Sequence, residues 1–407
     1  MMPVNLSAIP DNAKRKRPPS LKRWLVVLLI FMIFGGFFTS WLWPVSTVRG
    51  ALFWHCFISA PLVIWIFLAG SRWLVWLASE WPAGGWDDER ERDIADEVQR
   101  GQRALILDSM CVHLPHLVTS GALTEQFLLP QGVVLPPVID ETAQTVSYIA
   151  QFSDVGQPAP VRIERQLREL LEDAMLRAAL LKVKPTGMPT VIIQIDSEVT
   201  LSSDEIADIR KCITSLLSVP ARIQFLPYFG LSEIDSWLDE PKVMSTLLLL
   251  SVSLRNTLSD GDGEAAVALL LHQECENYDD EHGGLARIHR PEHSLNITAL
   301  QISAMQSLLW GKTCTEEIAS VWVAGMGTNN ETQSLLASNN LKFQLAETHG
   351  QLTDIDMKSG RTGATSPWLA IALAAGNSRP YPFPQLIMSM PEDGLPWWMV
   401  VHPLIGK

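Results

Sequence analysis

At 407 residues and a formal net charge of -13, the chain is too long for one small domain and too acidic for a nucleic-acid-binding body, which needs Lys and Arg to displace counterions. Its five cysteines are widely spaced, with no Cys-x-x-Cys pair. That excludes a disulfide-dense scaffold and makes buried free thiols the expectation, mildly favouring a reducing compartment.

The first 23 residues form a basic tail holding Lys14, Arg15, Lys16, Arg17, Lys22 and Arg23 against one acid, Asp11. Trp24 to Trp43 follows without a charge, and Ala51 to Gly70 is a second apolar run broken only by His55. Each run, as a helix, reaches about 30 Å, the hydrocarbon thickness of a bilayer. The seven residues between them, Pro44 to Gly50, are too few for a domain, so residues 24–80 read as a transmembrane hairpin. Trp41, Trp43, Trp73, Trp76, Trp81 and Trp86 stand at the ends of these runs, where amphipathic rings anchor at headgroups. Bulky Trp41 and Trp43 also exclude a cleavable signal peptide, which needs small residues there. The positive-inside bias puts the tail in the cytoplasm, and two crossings of the inner membrane return the body to the same side. A second run that only re-enters would instead leave the body periplasmic.

Asp87 to Asp93 is a solvated charge run expected to open a helix leaving the membrane surface. The body then divides into a first α/β half over 98–240 and a second over 241–407. In the first, Ala104 to Leu107 and Thr145 to Phe152 predict strands. Arg162 to Leu181 predicts a helix with Ile163, Leu167, Leu170, Leu171, Ala174 and Ala178 on one face. Thr190 to Ile195 has the continuous β-branched character of a buried strand. Ser202 and Glu205 predict a capping box for a helix running to Leu217, and Ala221 to Leu226 predicts another strand. In the second half, strands are expected within Lys242 to Ser253, over Ala265 to His272 and over Ala319 to Val323. Helices are expected over Asn296 to Leu309, over Thr332 to Asn339, and over Pro367 to Ala375 with a stop at Gly376. Leu386 to Met390 and Trp397 to His402 predict a closing hairpin. Alternation of this kind implies a layered α/β body with buried sheets. No short sequence repeat is visible.

Three glycine turns carry the chemical signal. Gly261-Asp262-Gly263-Glu264 opens the strand Ala265 to Leu271. Ala324-Gly325-Met326-Gly327-Thr328 follows another strand. Gly360-Arg361-Thr362-Gly363-Ala364 precedes an alanine-rich helix. In order and flanks these resemble the glycine-acid, His-Gly-Thr-Gly-Thr and Gly-His-Thr-x-Ala turns of the thiolase-fold ketoacyl synthases, over roughly 243–402. The resemblance implies a thiolase-like fold. It also implies that Ala324 and Arg361 occupy the places of the family's two catalytic histidines. Alanine offers no hydrogen bond and Arg stays protonated, so the resemblance argues against the family's reaction and no catalytic residue is expected. Cys111 is the only nucleophile candidate. Its bulky neighbours and early place favour a core thiol.

His272, Glu274, Cys275, Glu276, Asp279, Asp280, Glu281 and His282 include types that zinc accepts, but their position before Gly283-Gly284 reads as an exposed acidic loop. His113 and His116 could share a helix face, though Pro115 between them argues otherwise. His289-Arg290-Pro291 and His293 read as a surface turn. With no Walker A loop, dinucleotide fingerprint, Gly-x-Ser-x-Gly or His-Glu-x-x-His, no metal or cofactor is expected.

The basic tail, membrane hairpin and thiolase-like body without its histidines together resemble the type VI secretion lipase adaptor family. That resemblance implies a non-enzymatic, membrane-anchored adaptor that binds a secreted phospholipase effector and helps load it on the secretion spike. The alternatives are a membrane-bound acyl-thioester transferase or synthase, and a scaffold for another client. Candidate partner-binding residues are Asp279 and Asp280 in the acidic loop and Arg287 and Arg290 in the basic segment, all expected to be exposed.

Overall fold

The computed structural model describes residues 4, 6–44, 50–116, 123–129, 134–140, 145–182, 188–217, 219–227, 230–239, 246–273, 284–296, 299–326, 351–378, 382–391 and 395–404. The chain forms two compact units, one over 4–98 and one built mainly from 99–407.

In the first unit, α1 (Leu21–Leu42) and α2 (Ala51–Gly101) are both long and apolar enough to cross a membrane. Their apolar side chains face outward: Leu29 is 63 % and Phe67 74 % exposed. That is the surface a helix presents to lipid, not to water. The helices approach through small residues, as lipid-embedded helices do. A Cβ on Gly35 would strike the Pro61 ring, and one on Gly36 would lie 2.9 Å from Phe57. Trp65 Nε1 donates to the Trp24 carbonyl at 2.8 Å. A π-helical turn at His55–Ser59 interrupts α2 near its start. The charge run Asp87 to Asp93 does not open a new helix; it lies inside α2. The basic tail lies along this same stretch, with Arg15 paired to Glu80 and Asp87 at 3.1 and 2.7 Å. Trp86 Nε1 donates to the Asp11 carbonyl at 3.2 Å.

Among the described residues, the second unit is built on one 11-stranded sheet. Its strands are β1 (Ala104–His113), β4 (Thr190–Ser197), β5 (Arg222–Phe225), β6 (Thr246–Leu254), β7 (Ala265–Gln273), β8 (Ala286–His289), β9 (Glu292–His293), β10 (Ser320–Ala324), β11 (Gln351–Asp354), β12 (Gln385–Ser389) and β13 (Trp397–Pro403). The order is β11-β10-β12-β13-β8-β1-β7-β6-β4-β5, with β9 paired to β13. A separate ribbon pairs β2 (Pro137–Asp140) with β3 (Thr145–Tyr148). The continuous apolar runs of β6 and β7 are buried along nearly their whole length, as strands covered on both faces require.

Helices cover the sheet. They are α3 (Leu123–Leu128), α4 (Ala159–Glu172), α5 (Ala174–Lys182), α6 (Ser203–Leu216), α7 (Leu231–Leu238), α8 (Leu300–Trp310), α9 (Asp356–Ser359) and α10 (Ser366–Ser378). One core lies between the sheet and α10, and a second packs α4 and α5 with Ile209 and Ile213 of α6 on the opposite face of β4, β6 and β7. The expected capping box is present: Ser202 Oγ accepts from Glu205 N at 3.3 Å, and the Glu205 carboxylate accepts from Ser202 N at 2.7 Å.

Several expectations change. The helix predicted over Arg162 to Leu181 is two helices, because Asp173 is extended at ψ 129° and caps Leu176 N at 2.8 Å. The break rotates the apolar face, so Leu176 and Leu180 are buried while Ala174 and Ala178 are exposed. Gly376 does not stop its helix; α10 passes through it. A side chain there would collide with the Thr124 hydroxyl, so this glycine permits close packing of α3 on α10. The closing hairpin pairs β12 with β13 as expected. The helix expected over Thr332 to Asn339 lies outside the described residues.

Candidate functional site: a junction of glycine turns

Two of the three glycine turns interlock through their backbones. Gly261 N–H donates to the Tyr148 carbonyl at 2.9 Å, Arg361 N–H to the Gly261 carbonyl at 2.8 Å, and Gly263 N–H to the Arg361 carbonyl at 3.2 Å. Gly360 has φ +76°, and a Cβ on it would stand 2.6 Å from the Asp262 carbonyl carbon. Only glycine allows both that conformation and that approach.

Glu264, the last residue of the first turn, is fully buried. Its carboxylate accepts from Phe152 N at 2.8 Å, Arg255 N at 3.0 Å and Arg162 Nη2 at 2.7 and 2.8 Å. Arg162 also donates to Asp154 at 2.9 Å. A buried charge persists only when paired and hydrogen-bonded in this way.

The third turn joins through Asp356. Ala324 ends β10 with no exposed surface, and its carbonyl accepts from Met390 N at 2.9 Å. Gly325 follows at φ +75° and donates its N–H to Asp356 Oδ1 at 3.3 Å; the same oxygen accepts from Ser366 Oγ at 3.2 Å. Asp356 therefore ties this turn to the first residue of α10. Beside it, Asp354 accepts from Asp356 N and Met357 N at 3.0 and 3.4 Å. Burial, with the Asp356 charge, pushes the Asp354 carboxyl up to about 6.

The start of α10 is filled from within. Asp196 Oδ2, at the end of β4, accepts from Ala364 N at 3.0 Å and Ser253 Oγ at 3.3 Å, and lies 3.6 Å from Arg255 Nη2. Gly363, at φ +54°, leaves room for that carboxylate; a Cβ would collide with it. An anion at a helix entry suits the local N–H groups and dipole, and here the chain supplies its own.

At the two turn positions singled out in the sequence, Ala324 presents a buried methyl group. Arg361 pairs with Asp262 at 2.7 Å and donates to the Asp260 carbonyl at 3.2 Å. An ion-paired guanidinium can hold charge but cannot accept a proton. Cys111 lies on β1 within the apolar core, not at a helix entry. Burial, with the nearby Asp173 charge, pushes its thiol up to about 12. His113 Nε2 is 3.5 Å from that sulfur and His113 Nδ1 is 3.8 Å from Glu169. The row has the order of nucleophile, base and acid, but a thiol so rarely ionised is inert. Burial also lowers the His113 pKa. His116 is apart from it, Nε2 lying 2.8 Å from the Lys358 carbonyl. Among the described residues no group of three or more His, Cys, Asp and Glu could hold a metal ion.

The basic segment is not the exposed turn that its composition suggested. β8 runs between β1 and β13 inside the sheet, so Arg287 is half-buried while His289 and Arg290 are buried. Arg290 pairs with Asp239 at 2.6 Å and with Asp235. Asp239 also pairs with Arg100 of the same unit. Arg290 therefore cannot act as an exposed rim charge. Asp279 and Asp280 lie outside the described residues. The Glu264–Arg162–Asp154 and Asp196–Arg255 networks escaped sequence reasoning. One available signal was Arg162, which immediately precedes Ile163 on the buried stripe of a helix.

No family model matches the chain, and the search of curated proteins gives no match. Solved structures do match. The PfaC ketosynthase–chain length factor is 10 % identical, with a TM-score of 0.53, over 74 % of this chain and 43 % of its own. The ishigamide ketosynthase/chain length factor is 12 % identical, with a TM-score of 0.51, over 74 % of this chain and 99 % of its own. The chain thus spans less than half of the first match's length. At these identities the likeness concerns the fold alone: the body is an α/β unit resembling the thiolase and ketoacyl-synthase fold, preceded by two apolar helices consistent with a membrane hairpin.

Proposed function

We propose that this chain is a membrane-anchored, non-condensing protein that uses a thiolase-like body for binding. The observation that carries the reading is the chemistry at the two turn positions that the sequence resemblance sets against catalytic histidines: Ala324 has no polar group, and the Arg361 guanidinium is engaged by Asp262. The Asp196 carboxylate at the entry of α10 adds to it, because it fills a place where a substrate oxygen could otherwise be held. The client we propose is a secreted phospholipase effector, bound for loading on the type VI secretion spike, as the whole-chain resemblance implies. The tail lies against the stretch of α2 that follows the apolar run, which supports an inner-membrane hairpin with tail and body on one side. Charge assigns that side to the cytoplasm.

Affinity purification of the full chain from detergent-extracted membranes tests the client. The effector and spike protein are the expected partners. Recovery of the chain without either would remove this client. A second reading, an acyl-thioester transferase or synthase, is supported by the overlay on two ketosynthase–chain length factor structures. It requires a thioester-reactive group, which the closing experiment of the Discussion addresses.

A further inference from the structure

The first unit brings cations from three stretches of sequence to one level. Followed backward from α1, the chain runs alongside α2 through successive hydrogen bonds. Trp65 Nε1 donates to the Trp24 carbonyl at 2.8 Å, Trp76 Nε1 to the Lys16 carbonyl at 3.2 Å, Trp86 Nε1 to the Asp11 carbonyl at 3.2 Å and Arg90 Nε to the Pro10 carbonyl at 2.7 Å. Residues 16–24 therefore flank residues 65–76, a length of about 16 Å along α2. This band holds Lys16, Arg17, Lys22, Arg23 and Arg72, all exposed, and no acid. The first carboxylates beyond it on α2, Glu80 and Asp87, are paired with Arg15. The apolar runs end inside this interval, at Trp24 on one helix and Gly70 on the other. Trp73, 40 % exposed, stands within it.

We infer that this band binds the headgroups of anionic phospholipids. Depth and charge together select the occupant. Headgroups add about 5–8 Å to each side of the hydrocarbon, and Arg72 and Trp73 follow Gly70 by only about 3 and 5 Å of helix. The whole chain carries -13, so a band of five positive charges without an acid is a local reversal of sign. Phosphodiester anions at the same depth meet complementary charge there. Arg17, Arg23 and Arg72 offer planar forks to phosphate oxygens, while Lys16 and Lys22 act as point charges. A basic partner is repelled, and an acidic protein reaches the band only by entering the headgroup layer. The tail is also held in advance: Trp76 fixes the Lys16 carbonyl and Asp87 fixes Ala13 N at 2.8 Å, so less ordering remains to oppose binding. The inference rests on the hairpin reading and not on the identity of the client.

Intact-complex mass measurement of the purified full chain in detergent micelles, with phosphatidylglycerol or phosphatidylcholine of matched acyl chains added, tests this. Phosphatidylglycerol should be retained at least about tenfold more than phosphatidylcholine. Lys16→Gln, Arg17→Gln, Lys22→Gln and Arg23→Gln together should abolish that preference. Arg72→Gln alone, on a regular stretch of helix, should lower it about threefold to fivefold. In the purified chain these variants cannot act through membrane orientation. Arg165→Gln, Arg168→Gln, Lys182→Gln and Lys211→Gln remove as many exposed charges from the body and should leave the preference unchanged. Equal retention of the two lipids by the parent, an unchanged preference in the tail variant, or an equal loss in the body variant would overturn the inference and leave the hairpin standing. Retention of neither lipid would overturn the hairpin with it. Excess inorganic phosphate should not displace the lipid; displacement would assign the band to free phosphate and overturn the lipid reading.

Discussion

Strands β4 to β7 and strands β10 to β13 are laid out alike. In space they run β5-β4-β6-β7 and β11-β10-β12-β13. In each set the first two pairings are parallel and the last is antiparallel. The helix before the third strand differs. In the first set, α7 buries only Leu231, Ile234 and Leu238. In the second, α10 is buried almost all round. The charged groups differ too. The first half closes its strand ends with the buried Glu264–Arg162–Asp154 network. The second ties its own through the buried Asp356, which accepts from Gly325 N and Ser366 Oγ, beside the uncharged Ala324 and the half-exposed Arg361. Topology is repeated while side-chain chemistry is not, so one strand arrangement accommodates different charged and uncharged groups at its ends.

The largest test of that asymmetry is Glu264→Ala. It leaves Arg162 buried beside a single carboxylate and strands Phe152 N and Arg255 N. The expected loss is about 3–5 kcal/mol in denaturant unfolding of the full chain in detergent, the cost of breaking a buried pair. Arg361→Ala, in a partly exposed pair, should stay within about 1 kcal/mol. Equal losses would erase the distinction between the halves.

Gly360→Ala should cost about 1–3 kcal/mol, because the new Cβ meets the Asp262 backbone in a left-handed conformation. The loss should arise although no hydrogen-bonding side chain is removed. A cost near zero would mean the two turns do not interlock as described.

A pH dependence distinguishes the second half further. An acid raised from 3.8 to about 6 binds its proton more tightly in the folded state. Between those pH values the unfolded carboxyl is ionised and the folded one is not, so stability falls as pH rises through that window and stays lowered above it. Asp354→Asn keeps an oxygen acceptor for Asp356 N and Met357 N. It should raise stability at pH 7 by about 2 kcal/mol and remove this slope. Burial pushes His289 down to about 3. It contributes stability above 6.5 that is lost as pH falls, so variant and parent are compared at each pH. A variant no more stable than the parent at pH 7 would contradict the burial argument.

The smallest effect is expected at Cys111→Ala, about 1 kcal/mol or less, with partner recovery unchanged. The native thiol, pushed up to about 12, should be ionised on the order of one part in ten thousand at pH 8 and resist alkylation until unfolding. Rapid labelling of the folded chain would restore Cys111 as a reactive group.

Much of the body was legible because local patterns and tertiary packing agree. β4, β6 and β7 are uninterrupted apolar runs, and the Ser202–Glu205 box marks its helix start without help from the fold. The glycine turns could be located because φ values above zero and close backbone approach leave few other residues possible. Other features arise only in three dimensions. β8 is short and charged, so its place between β1 and β13 has no signature in Arg287 or Arg290 themselves. Asp173 looks like any helical acid, yet it ends one helix and caps the next. The repeated topology was invisible because the two halves share geometry without sharing a sequence pattern.

The most direct test of the non-condensing reading is intact-mass measurement of the full chain after incubation with an acyl thioester and a malonyl thioester, with assay for condensed product. The account predicts no covalent acyl adduct and no condensation, since neither Ala324 nor the ion-paired Arg361 can accept a proton and the Cys111 thiol is pushed up to about 12. An acyl adduct on Cys111 or on any other residue, or turnover above the protein-free control, would contradict it.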